Sequence, residues 1–259
     1  MKEKKIGLVL LLQKRDNSLS KDRAVSLIVC KNVYVNGELV TDTKSLVPEN
    51  SKIDILLPKY VSRGGFKLEK ALSFFNLDVK GKVIIDAGSS TGGFTDCLIQ
   101  HGAQLVHAVD VGYNLIAYSL RTDPHVKLYE KTNIMSVDCF EPAADMAVCD
   151  LSFRSVRRAG RHILDLTKEH KAVILIKPQF EVSSTEPDFN GVVRTEQLLL
   201  KVMKSVYGIL SEEGVGIKGV TISPITGRKG NKEFLAVISD KDSSSLTLSD
   251  FTELILSGI

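Results

Sequence analysis

From about residue 80 onward the sequence alternates short apolar runs with segments of helical periodicity, and this alternation leaves few possible folds. Nearly uninterrupted apolar runs are typical of strands in a parallel sheet, because the helices that connect such strands cover both faces. The runs are at 83–85, 105–109, 126–128, 146–149, 172–176, 215–221 and 234–238. The sequence therefore predicts an α/β fold with a mostly parallel sheet.

Helical patterns separate most of these runs, at 94–100, 155–166 and 195–210, and a shorter one lies at 251–256. The last two apolar runs have no helical pattern between them. Two consecutive strands without a crossover helix pair antiparallel. We therefore expect one edge of the sheet to be antiparallel.

The first sixty residues have a different pattern and predict a small α+β module. The apolar run 6–12 is interpreted as a buried helix, and Ser20 is placed to cap a second helix. Asn36-Gly37 lies between two β-prone runs and predicts a hairpin, because both residues tolerate positive φ. A further strand is expected at 53–57. The predicted division is a module at 1–59, a main domain at 60–242 and a tail at 243–259.

Composition limits the class of protein. Hydrophobic residues make up 43% and charged residues 25%, as in ordinary globular domains. No apolar run approaches the ~20 residues of a membrane span, and the first run is too short for a signal peptide. The four cysteines, Cys30, Cys97, Cys139 and Cys149, lack CxxC spacing, so we expect buried, reduced thiols, no metal site and a cytoplasmic protein.

A glycine-rich segment follows the first strand of the main domain and is the first candidate binding site. Glycines let the backbone approach a ligand closely, and a helix amino end adds free N–H donors. Asp110 ends the next strand, where a nucleotide site needs an acceptor for ribose hydroxyls. The predicted cofactor residues are Asp86, Gly88, Ser89, Ser90, Thr91, Gly92, Gly93, Phe94, Asp110, Val111 and Asn133.

Three interpretations of this segment compete. A dinucleotide site would have G-x-G-x-x-G, whereas this chain has G-x-x-x-G-G. That spacing favours a smaller adenosine ligand, and S-adenosylmethionine offers a ribose for Asp110 and a carboxylate for the backbone amides. The third interpretation is a glycine-rich turn that binds nothing.

Charged residues lie where several predicted strands end. Asp150 and Lys177 follow two apolar runs directly, and Glu233 precedes the last one. Since the last strand is expected to be antiparallel, its start lies at the same sheet edge as the ends of the parallel strands. Lys67 comes before the first strand. The sequence predicts that these charges lie beside the cofactor loop.

Five motifs stand out in this sequence: Ser62-Arg63-Gly64-Gly65, Asp86 through Asp96, Asp110-Val111-Gly112-Tyr113-Asn114, Cys149-Asp150-Leu151-Ser152-Phe153 and Ile176-Lys177-Pro178-Gln179-Phe180-Glu181. They resemble the motifs of the TlyA family, which comprises ribosomal RNA 2′-O-methyltransferases with an FtsJ-like catalytic domain and is also called hemolysin A. The resemblance implies a Rossmann-like methyltransferase fold, S-adenosylmethionine as cofactor, and cytidine ribose in ribosomal RNA or ribosomal subunits as substrate.

The resemblance also implies a catalytic Lys-Asp-Lys-Glu tetrad, carried here by Lys67, Asp150, Lys177 and Glu233. Methyl transfer from a sulfonium needs an oxygen, a carbon and a sulfur nearly in line, so positioning is the main task of the protein. We expect Lys177 at the target hydroxyl, oriented by Asp150 and Glu233, with Lys67 positioning ribose or phosphate. Whether Lys177 removes the proton or only steers the oxygen stays open.

The front module resembles an RNA-binding module of the ribosomal small-subunit protein four type, and the first 70 residues carry excess positive charge. Arginines after Asp150 recur at the spacing of one helix face. The predicted RNA contacts are Lys14, Arg15, Lys21, Arg23, Arg63, Arg154, Arg157, Arg158 and Arg161. The alternatives are a membrane-active hemolysin, an RNA-binding protein without catalysis and a methyltransferase for small molecules.

Overall fold

The structure is a computed structural model that describes residues 4–151, 159–186 and 189–258. The chain divides into two compact units, Met1–Lys59 and Tyr60–Ile259. Each unit has its own apolar core. The two units are therefore described separately.

The N-terminal unit packs two helices on two small antiparallel sheets. Its elements are β1 Lys5–Gly7, α1 Leu8–Arg15, α2 Lys21–Val29, β2 Val33–Val35, β3 Glu38–Leu39, β4 Leu46–Pro48 and β5 Ile53–Ile55. Strand β1 pairs with β4, and β2 lies between β3 and β5. The inner faces of both helices supply most of the core, through residues such as Leu8, Leu12 and Ile28.

Local signals in this unit acted largely as expected. Ser20 caps α2 by accepting a hydrogen bond from the Arg23 backbone N–H at 3.2 Å. Asn36 and Gly37 have φ values of 51° and 85°, which confirms the predicted hairpin. The helix predicted from residue 6 was wrong at its start, because Ile6 pairs with Val47 in a sheet and α1 begins two residues later.

The C-terminal unit contains a sheet of seven described strands covered by helices. Its elements are α3 Gly64–Phe74, β6 Val83–Ala87, α4 Gly93–Gln100, β7 Leu105–Val109, α5 Tyr118–Arg121, β8 Val126–Tyr129, β9 Met146–Cys149, α6 Ala159–Asp165, β10 Lys171–Ile176, α7 Pro178–Glu181, α8 Glu196–Glu212, β11 Val215–Ile222, β12 Phe234–Asp240 and α9 Leu248–Ser257. Short 3-10 helices lie at Ile134–Ser136 and Arg228–Gly230.

The strand order in this sheet is β11-β12-β10-β9-β6-β7-β8. Strands β6 to β10 are all parallel to one another, whereas β12 runs antiparallel to both β10 and β11. The prediction of an antiparallel edge, made because no helical pattern separates the last two apolar runs, was therefore correct. The Rossmann-like fold with an antiparallel edge is confirmed.

The strands read as continuous apolar runs because both faces of the sheet are buried. Along β10, Val173 and Leu175 belong to one apolar cluster, while Ile174 and Ile176 belong to the cluster on the other face. Successive strand residues point to opposite faces, so each face needs apolar residues of its own. This packing fixes the positions of the strand ends, and the polar site residues lie at or just beyond those ends.

The carboxyl ends of the parallel strands form one edge of the sheet. Ala87, the last residue of β6, pairs with Cys149, the last residue of β9. Ile176, the last residue of β10, pairs with Phe234, the first residue of β12. The loop after β6 and the residues that follow β9, follow β10 and precede β12 therefore share this edge.

Two of the four cysteine predictions were wrong. All four thiols are free, and Cys97 and Cys149 are buried as expected. Cys30 and Cys139 are exposed, because Cys30 lies one residue beyond the end of α2 and Cys139 lies in the connection between β8 and β9. Within the described ranges, no helix has the length and apolarity to cross a membrane, and no side-chain cluster could hold a metal ion.

Candidate active site

The loop after β6 turns sharply and leads into α4. Gly88 and Gly92 have φ values of +87° and +95°, a region that side chains other than glycine disfavour. A Cβ atom on Gly88 would lie 2.5 Å from the carbonyl oxygen of Asp150. Glycine at this position therefore lets the loop after β6 pack directly on the backbone that follows β9.

A second close approach joins the amino ends of α3 and α4. A Cβ atom on Gly93 would lie 2.3 Å from Ser62 Oγ and 2.9 Å from the backbone nitrogen of Gly65. Only glycine permits this approach without displacement of the neighbouring backbone. It brings the start of α3, and Lys67 with it, beside the glycine loop.

These two approaches enclose a cavity of about 380 Å³. That volume lies within the ~300–1,000 Å³ range of small-molecule sites. The cavity is lined by Ser62, Arg63, Gly64, Lys67, Gly88, Ser89, Ser90, Thr91, Gly93, Phe94 and Asp150. Most of the predicted glycine-loop residues therefore line one cavity together with two members of the predicted tetrad. Ser62 and Gly64 also line it, although sequence reasoning gave neither residue a site role of its own.

Asp110 fixes the loop on its other side. Its Oδ2 accepts a hydrogen bond from the Ser90 backbone N–H at 2.8 Å, and its Oδ1 accepts one from the Gly112 N–H at 2.7 Å. Val111, the next residue, is 68% exposed. Asn133 caps a 3-10 helix by accepting from the Met135 N–H at 3.2 Å. These three predicted cofactor residues lie outside the cavity lining.

Asp86 is buried beneath the loop and does not line the cavity. The Thr95 hydroxyl donates to its Oδ2 at 2.6 Å, while its Oδ1 has no hydrogen-bond partner. Burial raises the pKa of Asp86 to about 7; the hydrogen bond from Thr95 opposes this rise, and the nearby Asp150 and Asp110 reinforce it. The structure therefore does not support the predicted direct contact of Asp86 with the cofactor, because a strand-interior position points this side chain into the fold.

Lys177 and Asp150 form a buried ion pair at the carboxyl edge of the sheet. The Lys177 Nζ lies 2.5 Å from Asp150 Oδ1 and donates to the Leu151 carbonyl at 3.0 Å. The Lys177 side chain is 9% exposed, whereas that of Asp150 is 23% exposed and lines the cavity. The ammonium group is thus held by one hydrogen bond to a carbonyl and by its ion pair with a carboxylate.

Lys67 and Glu233 form a second buried pair. Their Nζ and Oε2 atoms are 2.5 Å apart, and their side chains are 12% and 4% exposed. The predicted orientation of Lys177 by Glu233 was therefore wrong: Glu233 holds Lys67, because α3 reaches the start of β12. A Cβ atom on Gly227 would lie 2.2 Å from Glu233 Oε1, so glycine there leaves room for this carboxylate.

Asn231 was missed by sequence reasoning and organises the loop before Glu233. Its side chain is buried, its Oδ1 accepts from the Val193 N–H at 3.0 Å, and its Nδ2 donates to the Gly191 carbonyl at 3.0 Å. It therefore ties the segment before α8 to the β11–β12 loop. The only sequence signal was an asparagine two residues before an acidic residue at a strand start.

The predicted RNA-contacting cations divide into several groups. In the N-terminal unit, the Lys14 ammonium pairs with Glu49, and Arg15 Nη2 donates to the Ser51 carbonyl at 2.5 Å. Lys21 and Arg23 are exposed at the start of α2. In the C-terminal unit, Arg63 is exposed and lines the cavity. Arg154, Arg157 and Arg158 lie outside the described residues.

Arg161 lies at the wrong edge of the sheet for the predicted role. Its guanidinium group lies 2.6 Å from an oxygen of Asp165 and 2.6 Å from one of Asp240. Asp240 ends the antiparallel strand β12, so it marks the edge opposite to Lys177. The helical spacing predicted that Arg161 shares a helix face with the arginines before it. Spacing alone does not show how far each position on that face lies from the catalytic edge of the sheet.

Comparison with known proteins identifies the C-terminal unit. Residues 60–239 match the model of the FtsJ-like methyltransferase family. The chain is 34% identical to the 16S/23S rRNA (cytidine-2'-O)-methyltransferase TlyA of Mycobacterium tuberculosis, over 86% of this chain and 85% of that protein. It is 38% identical to hemolysin A of Brachyspira hyodysenteriae, over 84% of this chain and 92% of that protein.

A solved structure agrees with these relatives. The structure of a protein from Streptococcus thermophilus that is named as a hemolysin superimposes with a TM-score of 0.74 at 33% sequence identity. The match covers 98% of this chain and 95% of the Streptococcus thermophilus chain. The cofactor is S-adenosylmethionine, and the sharp glycine loop at the start of α4 and the cavity that this loop lines fit that molecule. The expectation of this cofactor is confirmed. The chain belongs to the FtsJ-like methyltransferase family, among the relatives that carry the TlyA and hemolysin A names.

Proposed function

We propose that this methyltransferase modifies ribose 2′-hydroxyls of cytidines in ribosomal RNA. The single observation that carries the proposal is the buried Lys177–Asp150 pair at the edge of the cofactor cavity. The name of the Mycobacterium tuberculosis relative supports the choice of substrate. The exposed Arg63 on the cavity wall supports a polyanionic substrate, since guanidinium groups bind phosphates well.

Bound S-adenosylmethionine supplies an electrophilic methyl group on a positively charged sulfur. The glycine loop would hold its amino-acid part by backbone N–H groups at the start of α4, where the helix end favours a carboxylate. Asp110 would accept hydrogen bonds from the ribose hydroxyls, as acidic residues do at this position of nucleotide sites. These residues bind and orient the cofactor.

Lys177 would position the attacking oxygen. An ammonium group has three N–H donors. The Leu151 carbonyl accepts from one of them and Asp150 pairs with the positive charge, which leaves a donor for the ribose oxygen. Because both contacts hold the group rigidly, the oxygen would be bound in one orientation, and orientation of this kind can supply ~7–11 kcal/mol of a barrier.

Lys67 would act on the cavity side of the second pair. It lines the cavity, whereas its partner Glu233 is almost fully buried. Glu233 therefore fixes the Lys67 ammonium where a ribose or phosphate oxygen of the substrate can reach it. The two ion pairs would thus have different roles: Lys177 would hold the reacting hydroxyl, and Lys67 would hold a nearby ribose or phosphate oxygen of the substrate.

The test replaces Lys177 with methionine, which keeps the length of the side chain and removes its charge. Lys171→Met is the matched control, because Lys171 begins β10 at the opposite sheet edge, whereas Lys177 follows the end of that strand. Transfer of a labelled methyl group from S-adenosylmethionine to ribosomal RNA is measured, and resistance to alkaline cleavage identifies the 2′-oxygen. Cofactor affinity is measured by titration calorimetry.

We expect Lys177→Met to lower kcat at least ~100-fold, the usual size of a lost proton-handling or positioning group, with cofactor affinity within about twofold. The control should keep wild-type turnover. If Lys177→Met keeps more than about a tenth of the wild-type kcat, the assigned role is wrong. If the wild-type protein methylates bases or proteins instead of ribose, the proposed substrate is wrong.

A further inference from the structure

A further cavity lies within the N-terminal unit. It has a volume of about 430 Å³ and opens between α1, α2 and the loop before β4. Its lining residues are Gly7, Val9, Leu10, Gln13, Lys21, Val25, Thr43 and Lys44. The cavity is therefore large enough for one nucleotide-sized ligand.

Two apolar side chains that line this cavity, Leu10 and Val25, lie outside the apolar core of the unit. Leu8, Leu11 and Leu12 of α1 face the core, whereas Leu10 on the same helix is 62% exposed. Val25 of α2 lines the opposite side and is half-buried. Leu10 and Val25 thus give the cavity an apolar wall against which a ligand can pack, as in most small-molecule sites.

Two positively charged side chains stand at the rim. In the described structure, neither Lys21 nor Lys44 has an acidic partner, whereas Lys14 in the same unit pairs with Glu49. Apolar lining residues beside two unpaired cations are complementary to a ligand that has a flat apolar part next to a negative charge. A nucleotide within a nucleic-acid strand has both features.

Gln13 adds a polar group that can read an edge of such a ligand. Its Nε2 donates to the Leu19 carbonyl at 3.3 Å, so the direction of the amide is set. The amide oxygen then remains as an acceptor at the cavity. Single-stranded RNA is recognised in this way, with splayed bases packed on side chains and hydrogen-bonded at their edges.

We propose that this cavity binds one unstacked nucleotide of the RNA substrate, with its base between Leu10 and Val25 and its phosphates at Lys21 and Lys44. The proposal rests on RNA being the substrate, as inferred above. It gives the N-terminal unit a preference for single-stranded segments, in addition to the general attraction of its positive charge.

The test measures binding of a fluorescent single-stranded RNA and of the same sequence in a duplex to the full chain. Leu10→Ser removes the apolar wall without changing the charge. Leu39→Ser is the control, because Leu39 is 44% exposed in β3 of the same unit and does not line the cavity. Lys44→Gln is measured over a series of salt concentrations, and thermal unfolding checks that each variant is folded.

We expect wild type and Leu39→Ser to prefer the single strand, and Leu10→Ser to lose at least fivefold in single-strand affinity with duplex affinity unchanged, since one base loses its packing. Lys44→Gln should reduce the salt slope by about one. Equal loss on single strand and duplex, an unchanged affinity of Leu10→Ser, or a change in oligomeric state instead would overturn the proposal. Absence of methyl transfer by a wild-type protein that still prefers single strands would refute the proposed function and leave this cavity assignment standing.

Discussion

The buried carboxyl group of Asp86 predicts an unusual dependence of stability on pH. Burial raises the pKa of Asp86 to about 7 in the folded chain, against about 3.9 in an unfolded chain. Between these two values the folded state binds a proton that the unfolded state does not. The folded state is therefore favoured at low pH, and this contribution is lost as the pH rises toward and above 7.

The size of the effect follows from the two pKa values. Their difference corresponds to about 4 kcal/mol over the whole range, and about 2–3 kcal/mol of it falls between pH 5 and pH 8. Asp86→Asn removes the titration and keeps an oxygen that can accept from Thr95. The amide nitrogen of the asparagine replaces Oδ1, which has no hydrogen-bond partner. The free-energy cost of burying this nitrogen does not vary with pH.

The assay is urea unfolding of wild type and Asp86→Asn at pH 5, 6, 7 and 8. We expect the free energy of unfolding of the variant, relative to wild type, to increase by about 2–3 kcal/mol from pH 5 to pH 8. A relative value that stays constant over this range would show that Asp86 is ionised in the folded chain, and it would refute the reasoning.

Asp145→Asn provides the control for this prediction. Burial tends to raise the pKa of Asp145, but hydrogen bonds from the Val83 N–H and from Lys168 bring it below its ordinary value. Its contribution to stability is therefore present above about pH 4 and is lost only below it. The difference between Asp145→Asn and wild type should be constant from pH 5 to pH 8.

Three further predictions concern other residues. Gly88→Ala should lower both the melting temperature and the cofactor affinity measured by calorimetry, because its Cβ would lie 2.5 Å from the Asp150 carbonyl at a φ of +87°; unchanged affinity would contradict the close approach. Burial lowers the pKa of His107, whose ring packs on Tyr129, so the free energy of unfolding of wild type relative to His107→Phe should decrease in urea unfolding as the pH falls below about 6.5, and a constant difference would contradict this. Arg161→Gln should leave RNA affinity unchanged in a binding titration and cost at most about 1 kcal/mol of stability, as exposed ion pairs do; a clear loss of RNA affinity would restore the contact predicted from its spacing.

Much of the fold could be predicted because it depends on local signals. Buried strands must be apolar on both faces, so β10 was visible as an apolar run, and Asn36-Gly37 adopted the positive φ values that a tight hairpin requires. The start of α1 was less clear, because the pairing of Ile6 with Val47 joins residues far apart in sequence. A pattern within one segment does not reveal its distant partner.

The candidate site could likewise be predicted only where it depends on local signals. The strand ends predicted which charged residues share an edge, but not which of them pair. The Lys67–Glu233 contact depends on how α3 crosses the sheet, and nothing near either residue encodes that crossing. Asn231 was missed for the same reason, since Val193 and Gly191, to which its side chain is hydrogen-bonded, lie about 40 residues earlier.

The pairing of Lys67 with a residue 166 positions later has a consequence for the order in which the protein is made. During synthesis, the cofactor loop emerges from the ribosome long before β12, which inserts between β10 and β11. A nascent chain can therefore build the glycine turn while Lys67 still lacks its acid. With the role proposed for Lys67, methyl transfer then requires that the last strand has been translated and inserted, and products truncated before residue 233 would lack this activity.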